Sequence, residues 1–314
     1  MRFSYVKNFL IVLISLGAGW WYYQSVAAQT KVNWINRELG QKNNQLVWLN
    51  HENLDLAEQI KDLAKALEKP KAPPVPEAPA SNTPPGSGFS RQSVTTDVGS
   101  FTVSLVAADL NSTRVIVDTA ADGDCRDNCP VLSLAAYAAR SGAFAGVNGS
   151  YFCPASYPQC AGKTNSFDTL LMNKNKVYFN SDNNVYSTVP AVIFSGNSAR
   201  FVGQSLEWGR DTGIDAVLAN HPLLVAGGQV VFGGNGDPKQ GSKGNRSFVA
   251  AKGSTVYIGV VHSATVAESA RALAALGMDQ ALNLDSGGST ALWSGGYVVG
   301  PGRDIPNALL FVRR

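Results

Sequence analysis

The chain of 314 residues is long enough for one large domain or two smaller ones, and only 16 % of its residues are charged. A formal charge of +3 is spread along the chain with no lysine or arginine block, which argues against a nucleic-acid face. The 31 glycines and the frequent serines suit a secreted or cell-envelope domain built of strands and loops.

At the N-terminus, Arg2 and Lys7 precede an apolar run from Phe9 to about Tyr23. A basic segment followed by a hydrophobic one is the pattern of an export signal. Val26-Ala27-Ala28 offers a cleavage site, whereas Trp20 to Tyr23 resembles an interfacial aromatic belt. Counted to Ala28, the span is about 20 residues, enough to cross a bilayer once as a helix. The expectation for residues 1–30 is an uncleaved signal anchor, with secretion as the outcome if the signal is cleaved. Either way the rest of the chain lies outside the cytoplasm, in the cell envelope on a single-pass inner (plasma) membrane anchor or beyond it.

From 31 to 68 the pattern is heptad. Val32, Leu39, Leu46, Asn53, Ile60 and Leu67 form one series, and Ile35, Lys42, Leu49, Leu56 and Leu63 the other. Apolar a and d positions sustained in this way predict a coiled coil, and Asn53 at an a position favours a parallel homodimer. Residues 69–88 are dense in proline and then in Gly and Ser, the composition of a semi-rigid spacer.

A globular domain is expected over 89–314. Strands are read at 102–107, 114–118, 145–147, 176–179, 191–194, 214–218, 223–225, 229–232, 255–261 and 308–312, with a hairpin about Gly295-Gly296. An alanine-rich helix is read at 131–140, and an amphipathic one at 264–276 capped by Ser263. The fold class is therefore α+β: a mixed, mostly antiparallel sheet with a few packed helices, preceded by the membrane-anchor helix and the coiled coil. Four cysteines in an exported chain indicate two disulfides, with three pairings open. The spacings C-x3-C and C-x6-C fit a zinc site poorly. Asp122, Asp124 and Asp127 crowd the first cysteine loop without the spacing of a calcium loop, so a solvated loop is expected there.

Four stretches are too polar or glycine-rich for plain structure: Asn148-Gly149, Asn220-His221-Pro222, Lys243-Gly244-Asn245-Arg246 and Asp285 to Thr290. In the last, the apolar run 282–284 delivers a carboxylate to a glycine turn. Such a turn lets a ligand approach the backbone closely and can aim successive N–H groups at an anion.

The order of these stretches resembles the phosphodiester glycosidase domain family. Ala145-Gly146-Val147-Asn148-Gly149-Ser150-Tyr151-Phe152 is similar to its NGGFF or NGGYF signature. Asn245-Arg246-Ser247 is similar to its arginine motif, and Leu282-Asn283-Leu284-Asp285-Ser286-Gly287-Gly288-Ser289-Thr290 to its NLDGGGST motif. Arg303 to Leu309 is similar to its closing arginine and strand. Ser150 and Ser286 depart from the family pattern, each standing where it has glycine.

The resemblance implies hydrolysis of a sugar-1-phosphodiester. Breaking an anomeric C–O bond develops oxocarbenium character and calls for a carboxylate, and an arginine can neutralise the phosphate. The expected roles are Asp285 as nucleophile or base and His221 as a pocket acid or base. Arg246, Asn148, Arg303 and the turn Gly287, Gly288, Ser289 and Thr290 are expected to bind substrate. Asp168, Asp215 and Asp304 are candidates for a second acid, while Glu268 is read as a helix-dipole residue. No metal site or cofactor is assigned, although a divalent cation beside Asp285 stays open. The expected partners are a glycan or sugar-phosphate substrate, the membrane and a second copy of the chain. The alternative function is a non-catalytic module of the same fold that binds glycan or peptidoglycan.

Overall fold

A computed structural model describes residues 18–22, 24–43, 45–46, 81–181, 188–208 and 213–314. The chain divides into two units, Met1–Val75 and Pro76–Arg314. In the first, the described residues from 18 to 46 are helical and exposed throughout. The heptad residues Val32, Ile35, Leu39 and Leu46 are all exposed on this helix. Heptad positions 47–68 lie outside the described residues, as does most of the expected anchor, residues 1–17. Among the described residues no helix is long and apolar enough to cross a membrane.

The second unit holds three sheets. The largest runs in the order β1 (Gly88–Thr96), β2 (Gly99–Asp109), β13 (Thr255–Ala264), β12 (Gly244–Lys252), β14 (Gln280–Ser286), β10 (Leu223–Ala226), β11 (Gln229–Val230). A second has the order β16 (Tyr297–Val299), β15 (Leu292–Ser294), β4 (Ala145–Asn148), β17 (Asn307–Arg313), β3 (Thr113–Thr119). The third has the order β6 (Tyr178–Phe179), β5 (Leu171–Met172), β9 (Ala216–Ala219), β7 (Ala191–Ser195), β8 (Ser198–Val202). Every pairing among these strands is antiparallel, so the expected mixed sheet is instead three antiparallel ones.

One apolar core joins all three sheets, with Val106, Ile258 and Leu282 from the first, Val117, Val147 and Phe311 from the second, and Leu171, Val192 and Leu218 from the third. The opposite face of the large sheet is covered by the helix Val266–Ala275: Ala270 and Leu273 pack on Leu105, Phe248 and Ala250. Because both faces are buried, β2 and β12 read as nearly continuous apolar runs and not as alternating ones. The helix Leu134–Ser141 packs Leu134 and Tyr137 beside Ile116 and Leu310 of the second sheet. Numbered in chain order, the helices are α1 (Leu134–Ser141), α2 (Pro238–Gly241) and α3 (Val266–Ala275).

Several boundaries differ from expectation. α1 starts at Leu134, because Ser133 caps it and Leu132 is held in a bridge to Ile305. α3 is capped by Thr265, not Ser263. Thr265 and Glu268 form a reciprocal capping box, and β13 runs on through Ser263. Glu268 thus has the structural role read for it, with Lys243 as its ion-pair partner. Packing onto β1 begins before the expected linker end at 88: Ser81 N–H donates to Ser93 O at 2.9 Å. The disulfides are the local pairs, Cys125–Cys129 and Cys153–Cys160. In the first loop Asp127 accepts from Thr164 N and Asp124 from Asn180 N, so these carboxylates brace neighbouring loops.

Candidate active site

The site forms where β14 leaves the large sheet and β4 leaves the second. Asp285 N–H donates to Gly149 O at 2.9 Å, and Asn148 Nδ2 donates to Asp285 O at 2.6 Å. The backbone of the acid is therefore clamped on both sides by the turn that follows β4. Asn148 itself is fully buried. Its Oδ1 accepts from Ser247 Oγ at 2.7 Å and from Ala291 N at 3.1 Å. Its oxygen and one amide hydrogen are thus engaged within the protein, and it meets the acid through the Asp285 backbone.

The next two residues show why this turn has its composition. A Cβ at Gly149 would stand 1.9 Å from Asn307 Oδ1, so only glycine fits. Ser150, where the family has glycine, turns its side chain to Asn307: Asn307 Nδ2 donates to Ser150 Oγ at 3.0 Å, and Ser150 N donates to Asn307 Oδ1 at 2.9 Å. This departure is absorbed behind the site, away from the cavity.

Asp285 faces a cavity of about 480 Å³ whose wall includes Tyr151, Tyr157, His221, Asp237, Arg246 and Ser286. Burial pushes its carboxyl up to about 6, against the pull of hydrogen bonds from the Ser289 hydroxyl and Ser286 N–H and of the Arg303 charge. Ser286 N donates to Asp285 Oδ1 at 2.8 Å. The side chain of Ser286, the other departure, donates to Leu284 O at 3.1 Å and leaves the carboxylate facing the cavity.

The turn after Asp285 divides its labour. Gly287, at φ +69°, lines the cavity with Ser286. Ser289 is buried against the acid, and Thr290 Oγ1 donates to Asn245 O at 3.2 Å. Gly288 leaves room for Arg303, whose Nη2 would be 2.1 Å from a Cβ there. Ser289 and Arg303 thus act on the acid, while Thr290 ties the turn to Asn245.

Arg246 stands on the cavity wall, held by its own neighbourhood. Nε donates to Ala264 O at 3.0 Å, and Nη2 donates to Lys239 O at 3.0 Å and to Ser242 O. Nη1 is left without a partner among the described residues. Burial lowers this guanidinium from its ordinary value, opposed by the nearby Tyr151 and Asp237.

His221 lines the same cavity with its ring edge against Tyr151, the centroids 5.0 Å apart. Burial lowers its imidazole below the ordinary value, opposed by Asp168 and Asp237, so it is neutral at neutral pH. Of the candidate second acids, Asp215 accepts from Gly196 N and faces Arg314, and neither it nor Asp304 lines the cavity. Asp168 is exposed, and its charge acts on the His221 imidazole.

The carboxylate that does line the cavity is Asp237, which sequence reasoning missed. It caps α2, with Oδ1 accepting from Lys239 N at 2.7 Å and Gln240 N at 3.4 Å. Its signal was Asp-Pro, an N-cap followed by a first-turn proline. Tyr151 and Tyr157 were missed as well. Tyr157 rides on the Cys153–Cys160 loop, its ring flanked by Lys239 and Arg303 at 5.4 and 5.2 Å. A second hollow of about 420 Å³ under the 233–236 glycine loop shares Asp237, Gln240 and Ser242 with the first.

Among the described residues, no three His, Cys, Asp or Glu side chains gather as a metal cradle. The arrangement can hold an anion at Arg246 and present a carboxylate, ionised only above about pH 6, to an atom bonded to that anion.

No curated protein sequence matches the chain. Solved structures share its fold, among them the following two. A hypothetical protein from Synechocystis has a TM-score of 0.56 and 14 % identity, over 72 % of this chain and 62 % of its own. The catalytic domain of zebrafish N-acetylglucosamine-1-phosphodiester alpha-N-acetylglucosaminidase, auto-inhibited by its pro-peptide, has a TM-score of 0.55 and 14 % identity, over 76 % of this chain and 87 % of its own. The family model for phosphodiester glycosidases matches residues 141–312, which include β4, Arg246 and the Asp285 turn. With the clamp, the acid and the cavity-wall arginine all drawn from those matched residues, the chain belongs to the phosphodiester glycosidase family.

Proposed function

We propose that this protein hydrolyses a sugar-1-phosphodiester, releasing the sugar and leaving the phosphate on the other alcohol. The observation that carries this reading is the shared cavity of Asp285 and Arg246. A carboxylate raised to about 6 is ionised at neutral pH yet basic enough to take a proton from water. Asp285 activates the water that attacks the anomeric carbon, and Arg246 offers Nη1 to the phosphate. The leaving group is a phosphate monoester, which departs without needing a strong acid. His221, neutral, offers a hydrogen bond to a sugar hydroxyl. Gln240, whose buried Oε1 has no partner among the described residues, is an acceptor at the junction of the two hollows.

The substrate is an envelope or extracellular glycan, and the chain is held at the membrane by residues 1–30 as a parallel dimer through 31–68. The two disulfides support an oxidising compartment. The exposed apolar stripe Val32, Ile35, Leu39 and Leu46 supports a second copy.

One observation favours the alternative of a glycan-binding module. Arg246 gives Nε and Nη2 to backbone carbonyls, leaving a single nitrogen for an anion. A sugar-1-(4-nitrophenyl phosphate) diester, with a phosphatase added to colour the released aryl phosphate, decides between them. Turnover above background supports the enzyme; glycan binding without turnover leaves the binding module.

A further inference from the structure

Tyr151 stands on the cavity wall in the electrostatic reach of Asp285, Arg246 and Asp237. Its surroundings fix the partner from which its oxygen accepts. Asn283 Nδ2 donates to Tyr151 Oη at 2.6 Å and to His221 O at 3.1 Å. The second contact settles the first: a backbone carbonyl only accepts, so the amide nitrogen of Asn283 must face this way. The reversed amide would set two oxygens 3.1 Å apart, at the distance now held by the His221 bond.

A second asparagine locks the other end. Asn220 Nδ2 donates to the backbone carbonyl of Asn283 at 2.8 Å, and its Oδ1 accepts from Tyr151 N at 3.0 Å. Both amides are buried. Asn283 Oδ1 is buried without a partner among the described residues, a cost tolerated for the sake of the donor side. Tyr151 Oη is therefore an acceptor toward Asn283, which leaves its own hydrogen for another partner, and Tyr151 is a residue of the cavity wall.

We propose that the Tyr151 hydroxyl is a catalytic hydrogen-bond donor to the phosphate oxygen that leaves the anomeric carbon, and that Asn283 is the positioning residue that aims it. This rests on the phosphodiester reading above. As the C1–O bond breaks, its electron pair stays on the phosphate oxygen. A water oxygen bonds to C1 and gives its proton to the Asp285 carboxylate. Tyr151 keeps its proton and shares it with the departing oxygen, so the phosphate monoester leaves as the anion. Retention of that proton follows from burial and the Asp285 charge, which push the phenol up to about 12, far above a phosphate oxygen. The donor is aimed at charge that develops as the bond breaks, so its effect falls on kcat more than on KM.

The test compares wild type with Tyr151→Phe, which removes only the hydroxyl, on the nitrophenyl phosphate diester, and measures phenyl phosphate binding by calorimetry. The expected result is a fall in kcat of roughly 10²-fold with KM within about threefold, and phenyl phosphate bound about tenfold more weakly. A Tyr151→Phe kcat within about twofold of wild type overturns the proposal while the hydrolase reading stands. If wild type itself shows no turnover, the hydrolase reading fails and the catalytic role fails with it; calorimetry then reports only whether the hydroxyl contacts a phosphate. Asn283→Ala tests the aim: it should lower kcat in wild type and cost nothing further in the Tyr151→Phe background. Equal losses in both backgrounds overturn the positioning role.

Discussion

Asn148 donates its amide hydrogen to the backbone carbonyl of Asp285 at 2.6 Å, joining two residues 137 positions apart. The bond is made to the main chain of the acid, so it sets where the carboxylate stands without touching its charge.

Asn148→Ala should consequently lower kcat and also weaken the fold. It leaves Ser247 Oγ, Ala291 N and the Asp285 carbonyl without their buried partner. The expected loss is roughly 2–4 kcal/mol in urea denaturation. A variant with wild-type stability and a raised KM alone would instead make Asn148 a substrate contact.

Asp285→Asn should abolish turnover, by roughly 10³-fold or more, while raising thermal stability at pH 7. Folding lifts this carboxyl from 3.8 to about 6, so the folded state binds the proton more tightly than the unfolded one. Its contribution to stability is full below about pH 4 and is lost as pH climbs through 6. Removing the charge removes that penalty, and calorimetry should show a Tm a few degrees higher. A lower Tm at pH 7 would contradict the assignment of burial as the cause.

The same shift sets the pH profile of the wild type. In the proposed mechanism Asp285 works ionised, so kcat should rise with pH and level off above about 6. A rate that falls across pH 5 to 7 would mean that the protonated acid is the working form.

Gly149→Ala should destabilise more than an ordinary loop substitution. The new methyl meets Asn307 Oδ1 at 1.9 Å and the Asn307 carbonyl oxygen at 2.9 Å. An overpacking cost of about 2 kcal/mol or more is expected in denaturant melts. Pairing it with Asn307→Ala, which removes the first clash, should recover part of the loss.

Deleting residues 31–68 from a chain that begins at residue 31 should convert a dimer to a monomer in sedimentation, with kcat unchanged. A dimer that survives the deletion would place its interface in the 81–314 domain.

Much of this site was legible in sequence, but chiefly as backbone. Asp285 at the end of an apolar run, the Gly287-Gly288 turn and the Asn148-Gly149 turn all lie where the residue order put them, because strand termination and glycine are local signals. Side-chain direction was not legible. Asn148, Ser289 and Thr290 look like ligand donors on paper, yet each points into the protein to hold a neighbour. Their partners, such as Ala291 and Asn245, are set by the meeting of two sheets. Asp237 was hidden for the opposite reason. An Asp before a proline reads as a cap, which it is, and only the packing of α2 beside α3 brings that cap to the cavity. Ser263 failed as a cap because β13 continues through it, a tertiary demand that local propensity does not carry.

The lodging of β4 between β15 and β17 has a kinetic consequence. Both neighbours follow it distantly in the chain, and the Ser150–Asn307 contact beside the acid spans 157 positions. Closing loops of that size precedes any reward from the contacts they allow. That cost predicts that the clamp on Asp285 assembles after local hairpins such as β1–β2 and β12–β13, an order that φ-values at Asn148 and in those hairpins would check. Without the clamp and its burial the carboxyl would lie in water and titrate as an ordinary acid. On the function proposed above, turnover would therefore require the completely folded chain.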